Sequence, residues 1–250
     1  MYDYYLGGSH NFEADRAAAE RVLALVPETR TFARENRAFL QRVVRYLVAR
    51  AGVTQFLDLG SGIPTVGNVH EIAQGLQPES RVVYVDHEPV AVAQSQRMLT
   101  GNDQATAIQG DLRHPDRVLH HPEVHRLLDF SRPVAVLTIS VFPFVADVDD
   151  PVGIISAYRE ACAPGSYLAL SHGLTLDYWP DATAEVIETY KSSTHPLHPR
   201  TPEQITALFA GYQLVEPGVV FTSAWHPDHP LTDEQARESR GMAGLGVLSR

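Results

Sequence analysis

Short apolar runs alternate with amphipathic segments along most of the chain, and this alternation predicts strands separated by helices. The runs that predict strands are rich in β-branched residues and cover residues 54–59, 81–86, 105–110, 133–142 and 166–170. Continuously apolar runs are typical of parallel strands that are buried on both faces. The segments between them carry apolar residues at helical spacing, most clearly over residues 29–51. The pattern therefore predicts an α/β fold in which helices cover both faces of the sheet.

The two ends of the chain add to this core. Residues 212–220 and 242–248 predict a closing antiparallel hairpin, which makes the sheet mixed and seven-stranded, and residues 225–240 predict a long connection between its strands. Residues 201–204 have the residue types of a capping box and predict a helix that ends near residue 211. Residues 1–50 precede the sheet and predict an N-terminal helical lid, and residues 173–200 predict an insertion over the edge where the parallel strands end. No stretch has the composition of an interdomain linker, so residues 1–250 are expected to form a single domain.

A glycine turn follows the first predicted strand. Asp58 ends the apolar run, and Gly60 and Gly62 follow with one residue between them. Glycine allows a tight turn and lets a ligand approach the backbone closely. Asn68 then stands where a helix is predicted to begin. Strand, glycine turn and helix form the phosphate- or nucleoside-binding corner of many α/β sheets, although an ordinary βα turn can contain the same glycines.

Acidic residues end the first three predicted strands, at Asp58, Asp86 and Asp111. In a parallel sheet the three carboxylates lie at the same carboxyl edge, where ligands bind. Asp86 follows the glycine turn by one helix and one loop, and a carboxylate there can accept hydrogen bonds from both hydroxyls of a ribose. His87 is next to it and is placed to line the adenine side of the same site. The spacing therefore predicts a nucleoside-binding site.

These motifs resemble the nucleoside-binding motifs of class I S-adenosylmethionine-dependent methyltransferases, which have a Rossmann-like fold. The resemblance rests on Asp-Leu-Gly-Ser-Gly at residues 58–62, Val-Asp at 85–86 and Gly-Asp-Leu at 110–112. Pro64 stands where the general motif often has a third glycine.

The sequence is also similar to one actinobacterial branch of that class, formerly described only as a domain of unknown function. The similarity covers nearly the whole chain, and Pro64 agrees with this branch. The segments that carry this similarity are residues 4–8, 11–12, 14–16, 33–40, 62–65, 67–70 and 166–172.

The resemblance implies that S-adenosyl-L-methionine is the cofactor and S-adenosyl-L-homocysteine the product. It implies that Asp86 holds the ribose, that Asp111 binds the adenine amino group, and that the glycine loop holds the methionine part. The predicted cofactor site comprises Tyr4, Asn11, Asn36, Arg37, Asp58, Gly60, Gly62, Asn68, Asp86, His87, Asp111, Leu112 and Ser140.

Four of these residues belong to the predicted lid. Tyr4 is expected to lie against the adenine or the sulfonium, because a cation is favourable against an aromatic face, and Asn11 is expected to make a polar contact. Asn36 lies within the apolar stripe of the helix at residues 29–51 and needs a hydrogen-bond partner there, while Arg37 can pair with the carboxylate of the cofactor. The alternatives are an N-terminal arm that only packs, an internal hydrogen bond for Asn36 and a structural ion pair for Arg37.

The acceptor side is predicted after the fourth and fifth strands. The fourth strand exits through Ser-Val-Phe-Pro-Phe, which differs from the acidic or Asn-Pro-Pro-Tyr-type motif that grips an amine in some methyltransferases. This sequence argues against methylation of nucleic-acid bases and favours an apolar acceptor pocket, because pockets for small molecules are mostly apolar and aromatic. The predicted pocket residues are Phe142, Phe144, Tyr178 and Trp179.

His172 stands at the tip of the fifth predicted strand and is the predicted general base, because the intrinsic pKa of histidine lies near neutral pH. The alternative is a hydrogen-bonded structural histidine. A base is optional in methyl transfer, since positioning the donor and acceptor in line can supply much of the rate.

Composition narrows the choice of partners. Thirty acidic and 20 basic residues give a net charge of −10, which argues against a nonspecific nucleic-acid surface. The single cysteine fits a reducing compartment, and no apolar run is long enough to span a membrane. The chain opens without a signal segment, so we expect a cytoplasmic protein that contacts neither nucleic acid nor membrane. The histidines at 114, 120, 121 and 125 match no compact metal motif, and no metal is predicted.

The sequence therefore predicts transfer of a methyl group from S-adenosylmethionine to a small-molecule acceptor, and secondary metabolism is the expected setting. A non-catalytic S-adenosylmethionine-binding or sensor protein is the first alternative. An NAD-dependent oxidoreductase is less favoured, because Thr65 stands where its fingerprint has a third glycine.

Overall fold

A computed structural model describes residues 2–8, 11–63, 67–175 and 196–249. The strands are β1 (Gln55–Leu59), β2 (Arg81–Asp86), β3 (Ala105–Gln109), β4 (Ala135–Ile139), β5 (Tyr167–Gly173), β6 (Gln213–Leu214), β7 (Val220–Phe221) and β8 (Gly241–Val247). The helices are α1 (Tyr2–Tyr5), α2 (Glu13–Leu25), α3 (Thr29–Ala49), α4 (Val69–Leu76), α5 (Pro89–Met98), α6 (Pro115–Leu119), α7 (Pro122–Leu127), α8 (Pro151–Ala161), α9 (Pro202–Ala207) and α10 (Asp233–Arg237).

The described residues form one mixed sheet with the strand order β3-β2-β1-β4-β5-β8-β6, and β7 also pairs with β8. Strands β1 to β5 are parallel, and β8 runs antiparallel to β5. Leu59 pairs with Val85, and Asp86 pairs with Gln109, so β1, β2 and β3 end at a common edge. The predicted α/β class and the shared carboxyl edge are confirmed.

The sheet has eight strands rather than the predicted seven. The segment at 212–220, predicted as one strand, contains the short strand β6 and reaches β7 only at its end. Between them the amide of Gly218 donates to the carbonyl of Val215 at 2.8 Å, and Gly218 has a φ of +87°. Pro217 precedes it and has no amide hydrogen to donate to a ladder. The chain therefore turns away from β8 and pairs with it a second time.

Apolar residues on the two faces of the sheet form separate clusters. In β1, Phe56 packs with α3 and α4 residues on one face, while Leu57 and Leu59 pack towards α8 on the other. Burying each such side chain contributes about 1.5–3 kcal/mol. The alternation of β1 therefore fixes which helices cover which face, and it leaves the strand ends open to a ligand.

Helix starts follow local capping rules, and one of them was not predicted. Thr201 accepts a hydrogen bond from the amide of Gln204, as the predicted capping box requires, but α9 ends at Ala207 rather than near residue 211. Thr232 and Gln235 form a similar box at the start of α10, within a segment predicted as a long connection. In the described ranges no helix is long and apolar enough to cross a membrane.

Candidate functional site

The glycine loop (residues 60–62) turns the chain sharply after β1. Gly60 has a φ of +70° and Gly62 a φ of +64°, a region that favours glycine. The amide of Gly60 donates to the carbonyl of Val85 at 2.8 Å, which ties the loop to β2. A Cβ on Gly60 would collide with the side chain of Val141, whereas a Cβ on Gly62 would meet no atom of the described residues within 4 Å. The loop is thus closely packed on one side and open on the other.

Asp86 lies at the tip of β2 and is 8% exposed. Its Oδ2 accepts a hydrogen bond from the amide of Gly62 at 2.7 Å, and its Oδ1 accepts one from the amide of Glu88 at 2.9 Å. Two backbone donors therefore fix the orientation of this carboxylate. His87 is half exposed beside it, with Nδ1 3.6 Å from the Asp86 Oδ1.

Asp58 places a second buried carboxylate near Asp86. Burial is the main cause that raises the pKa of Asp58 to about 7, Arg37 opposes the shift, and the charge of Asp86 adds to it. Arg37 also donates from Nη2 to the Oδ1 of Asn68 at 3.0 Å, which links α3 to the start of α4. The structure thus brings together these four predicted site residues, from α3, β1, β2 and the start of α4.

Asp111 follows β3 and is held by Arg113, a residue that the sequence analysis did not select. The Nε of Arg113 lies 3.0 Å from both carboxylate oxygens, and its Nη2 donates to Oδ2 at 2.6 Å. Burial acts to raise the pKa of Asp111, but the hydrogen bonds from Arg113 outweigh it and lower the pKa. The intervening Leu112 is buried, and its carbonyl accepts a hydrogen bond from the hydroxyl of Tyr158 at 3.1 Å. The sequence contained a signal for this ion pair, because an acidic residue and an arginine stand two positions apart.

Tyr4 and Asn11 make their hydrogen bonds within the N-terminal segment. The Tyr4 hydroxyl donates to Glu20 at 2.9 Å, and the Asn11 amide donates to Asp3 at 2.7 Å. Tyr2, which was not predicted as a site residue, instead reaches α3 and donates to the carbonyl of Ala33 at 3.1 Å. The cofactor contacts of Tyr4 and Asn11 stay predictions, and the observed contacts agree with the alternative of a packed arm.

Asn36 joins α1 to the sheet. Its Nδ2 donates to the Tyr2 hydroxyl at 2.8 Å, and its Oδ1 accepts a hydrogen bond from the hydroxyl of Ser171 in β5. These are the internal partners that the sequence left open for a buried asparagine. A cofactor contact of Asn36 stays a prediction.

Ser140 begins the exit loop (residues 140–147) after β4. It has a φ of +56°, and its amide donates to the carbonyl of Ser171 at 3.1 Å. Phe142 is buried in the core, whereas Phe144 is 39% exposed. Tyr178 and Trp179, the other two predicted pocket residues, lie outside the described residues.

His172 is fully buried at the end of β5. Nη1 of Arg200 lies 2.9 Å from its Nε2, and because an arginine only donates, Nε2 accepts and the proton is on Nδ1. Nδ1 donates to the carbonyl of Gly173 at 2.6 Å. Burial is the main cause that lowers the pKa of His172 to about 4. The role of a general base is a prediction that no observation tests, and this hydrogen bonding favours the structural alternative.

The sheet order, the glycine loop after β1 and the acids after β1, β2 and β3 define the class I S-adenosylmethionine-dependent methyltransferases. The chain belongs to the S-adenosyl methyltransferase family, whose family model matches residues 1–249. The predicted enzyme class and the predicted cofactor, S-adenosylmethionine, are therefore confirmed.

Two crystal structures are similar over nearly the full length. A candidate methyltransferase from Thermobifida fusca is 39% identical over 100% of this chain and 93% of its own, with a TM-score of 0.94. A DUF574 family protein from Streptomyces avermitilis is 37% identical over 98% of this chain and 95% of its own, with a TM-score of 0.92. They confirm the predicted branch of formerly unknown function.

A more distant structure shows the fold alone. Human N-acetylserotonin methyltransferase, solved in complex with S-adenosylmethionine, is 15% identical over 100% of this chain and 63% of its own, with a TM-score of 0.51. No curated protein matches the sequence.

Proposed function

We propose that this methyltransferase acts on a small, partly apolar metabolite in the cytoplasm, in secondary metabolism, and that the predicted site residues hold the cofactor at the carboxyl edge of β1 to β3. The observation that carries the proposal is the buried Asp86 carboxylate, which the amides of Gly62 and Glu88 orient beside the glycine loop. A carboxylate fixed in this way can accept hydrogen bonds from ribose hydroxyls without first being ordered.

Asp58 and Arg37 would hold the amino-acid part of the cofactor. A buried carboxylate with a raised pKa is stabilised in its ionised form when an ammonium group approaches it. Arg37 lies close enough to influence Asp58 electrostatically and can pair with a carboxylate. The open space above Gly62 lets the chain between these groups pass close to the backbone. The residues present therefore fit S-adenosylmethionine.

Asp111 would bind the adenine amino group, and Arg113 keeps the Asp111 carboxylate ionised. Arg113 donates to both carboxylate oxygens, and the Asp111 side chain is 26% exposed, so part of the carboxylate is accessible to a further donor. His87 stands half exposed next to Asp86, on the side where the adenine would lie. Tyr4 and Asn11 belong to the proposed lid of residues 1–50, which would exclude water from the site.

The exit loop would form the wall of the acceptor site. Phe144 is partly exposed, and Val148 just after the loop is 91% exposed, so this edge offers apolar surface. The net charge of −10 supports a small acceptor rather than a nucleic acid. The single cysteine supports the cytoplasmic setting.

When bound, the cofactor supplies a methyl group on a positively charged sulfonium sulfur, and loss of the methyl group turns this sulfur into a neutral thioether. The residues around the site would align the acceptor with that methyl group and exclude water. A thiolate or phenolate acceptor needs no base, which agrees with the buried, hydrogen-bonded His172.

The experiment is a transfer assay with S-adenosylmethionine labelled in the methyl group. Panels of phenols, thiols and amines are compared with transfer RNA and duplex DNA, and Asp86→Ala serves as the control. We expect label in a small molecule, and about 10- to 100-fold less label with Asp86→Ala when the cofactor concentration is below its Kd for the wild type. Label in nucleic acid would refute the proposed acceptor class, and full activity of Asp86→Ala would refute the assigned ribose contact.

A further inference from the structure

Arg200 is a buried arginine at the point where the chain returns to the sheet after the predicted insertion. It is 4% exposed. Leu174 and Arg200 form a parallel bridge, and the amide of Thr175 donates to the carbonyl of Arg200 at 3.2 Å. The two ends of the insertion are therefore fastened to each other beside β5.

The guanidinium of Arg200 donates to acceptors in two other parts of the chain. Nη1 bonds the carbonyl of Phe142 at 2.8 Å and Nε2 of His172 at 2.9 Å. Nη2 bonds the carbonyl of Val145 at 2.9 Å and Oδ1 of Asp147 at 2.7 Å. Burying a guanidinium is unfavourable unless its donors are satisfied and its charge is paired. These acceptors meet that requirement only when the exit loop keeps its present shape.

The exit loop is held along its length as a result. The left-handed Ser140 and its bond to Ser171 fix the start, and the carbonyls of Phe142 and Val145, which accept from Arg200, fix the middle. Between them, the carbonyl of Pro143 accepts a hydrogen bond from the amide of His198 at 2.6 Å. The loop is thus clamped between β5 and the returning chain.

We propose that Arg200 is the positioning residue of the acceptor side. It holds the exit loop in the shape that directs Phe144 to the acceptor, and it keeps His172 as a hydrogen-bond acceptor rather than a proton carrier. Both functions come from one guanidinium, which donates hydrogen bonds to the loop carbonyls and to the histidine at the same time. This inference rests on the proposed function only in placing the acceptor beside the exit loop.

The test compares Arg200→Ala with Arg159→Ala. Arg159 also donates to a backbone carbonyl, that of Ala210 at 2.6 Å, but it lies on α8 and does not contact the exit loop. Hydrogen exchange of residues 140–147 and the ¹⁵N signals of the His172 ring are measured, together with the affinity for S-adenosylhomocysteine.

We expect amide exchange in the exit loop to become about tenfold faster in Arg200→Ala. The reason is that a hydrogen bond from a charged group changes the equilibrium between closed and open states of a loop by about tenfold or more. The His172 ring signals should shift, and added guanidinium ion should restore both signals towards those of the wild type. Arg159→Ala should change neither, and the affinity for S-adenosylhomocysteine should stay the same in both variants.

Unchanged loop exchange and ring signals in a folded Arg200→Ala would overturn the proposal. Faster exchange throughout β4 and β5 that guanidinium does not reverse would also overturn it, since that is a loss of packing. If Arg200→Ala does not fold, Asp147→Ala removes the single contact that this carboxylate, which is 78% exposed, makes with Arg200. Faster exchange near residue 145 would then support the proposal, and unchanged exchange would refute it. Failure of the proposed function would appear separately, as methyl label in nucleic acid or as full activity of Asp86→Ala in the transfer assay, and neither result changes the exchange of the exit loop.

Discussion

Oδ2 of Asp86 accepts a hydrogen bond from the amide of Gly62 at 2.7 Å, and this contact joins the tip of β2 to the glycine loop. The two residues are 24 positions apart in the sequence. The contact fixes the carboxylate and the loop in one arrangement before any ligand arrives, which lowers the entropy lost on binding.

Replacing Asp86 by alanine should weaken the binding of S-adenosylhomocysteine by about 10- to 100-fold. Hydrogen bonds to a charged group contribute about 1.5–3 kcal/mol, and the variant also loses the anchor of Gly62. Titration calorimetry measures the change. The exposed Asp103→Ala is the matched control and should bind like the wild type. Equal affinities of the two variants would contradict the assigned role.

Asp58 should make stability depend on pH between its ordinary pKa of 3.8 and its folded pKa of about 7. The folded state binds more protons at Asp58 than the unfolded state in this window, so the contribution of Asp58 to stability is largest below pH 4 and is lost as the pH rises through 7. Each pKa unit corresponds to about 1.4 kcal/mol. The free energy of unfolding of Asp58→Asn should lack this fall, as denaturant titrations at several pH values will measure.

The same residue predicts proton release on cofactor binding. If the ammonium of S-adenosylhomocysteine lies beside Asp58, binding at pH 6 should favour the ionised carboxylate and release a proton. Calorimetry in buffers of different ionisation enthalpy measures this release. Asp58→Asn should remove it, and Asp103→Asn should leave it unchanged. The same release from Asp58→Asn would assign the proton to another group.

Gly60→Ala should destabilise the protein more than Gly62→Ala. Both positions have a left-handed φ, which costs about 1–2 kcal/mol with a Cβ present, but only the Cβ at Gly60 collides with Val141. Thermal and denaturant unfolding measure the difference. Adding Val141→Ala should recover part of the loss in Gly60→Ala and nothing in Gly62→Ala. If the effects of the two substitutions on the free energy of unfolding were additive, the collision between the Cβ and Val141 would not contribute to stability.

Tyr2→Phe should loosen α1 from α3. The lost hydroxyl donates to Ala33 and accepts from Asn36, and removing it should cost about 1 kcal/mol or more. Tyr4→Phe is the matched control, because its hydroxyl bonds only an exposed Glu20. Hydrogen exchange at residues 2–8 should rise in Tyr2→Phe and stay near the wild-type rate in Tyr4→Phe. Equal exchange in the two variants would show that Asn36 does not hold α1.

Local patterns were sufficient to predict the nucleoside edge of this fold. Asp58, Asp86 and Asp111 each end an apolar run, and parallel pairing brings the ends of such runs together. Capping boxes and glycine turns are equally local, which is why the start of α9 was predicted correctly.

Long-range contacts could not be predicted in the same way. Asn36 and Ser171 are 135 positions apart, and their contact depends on how α3 lies across the sheet. Arg200 is one of many arginines in the sequence, and only the fold shows that it is buried beside His172. The eighth strand was missed because Pro217 and Gly218 interrupt a segment that otherwise has the composition of one strand.

The bridge between Leu174 and Arg200 brings the two ends of the predicted insertion together beside β5. Because its two ends already meet at a fixed distance, a segment of another length can be joined there at a small cost in chain entropy. Exchanging the segment between these two anchors for that of a relative is therefore a way to test whether it sets acceptor preference, while the cofactor half of the molecule keeps its sequence.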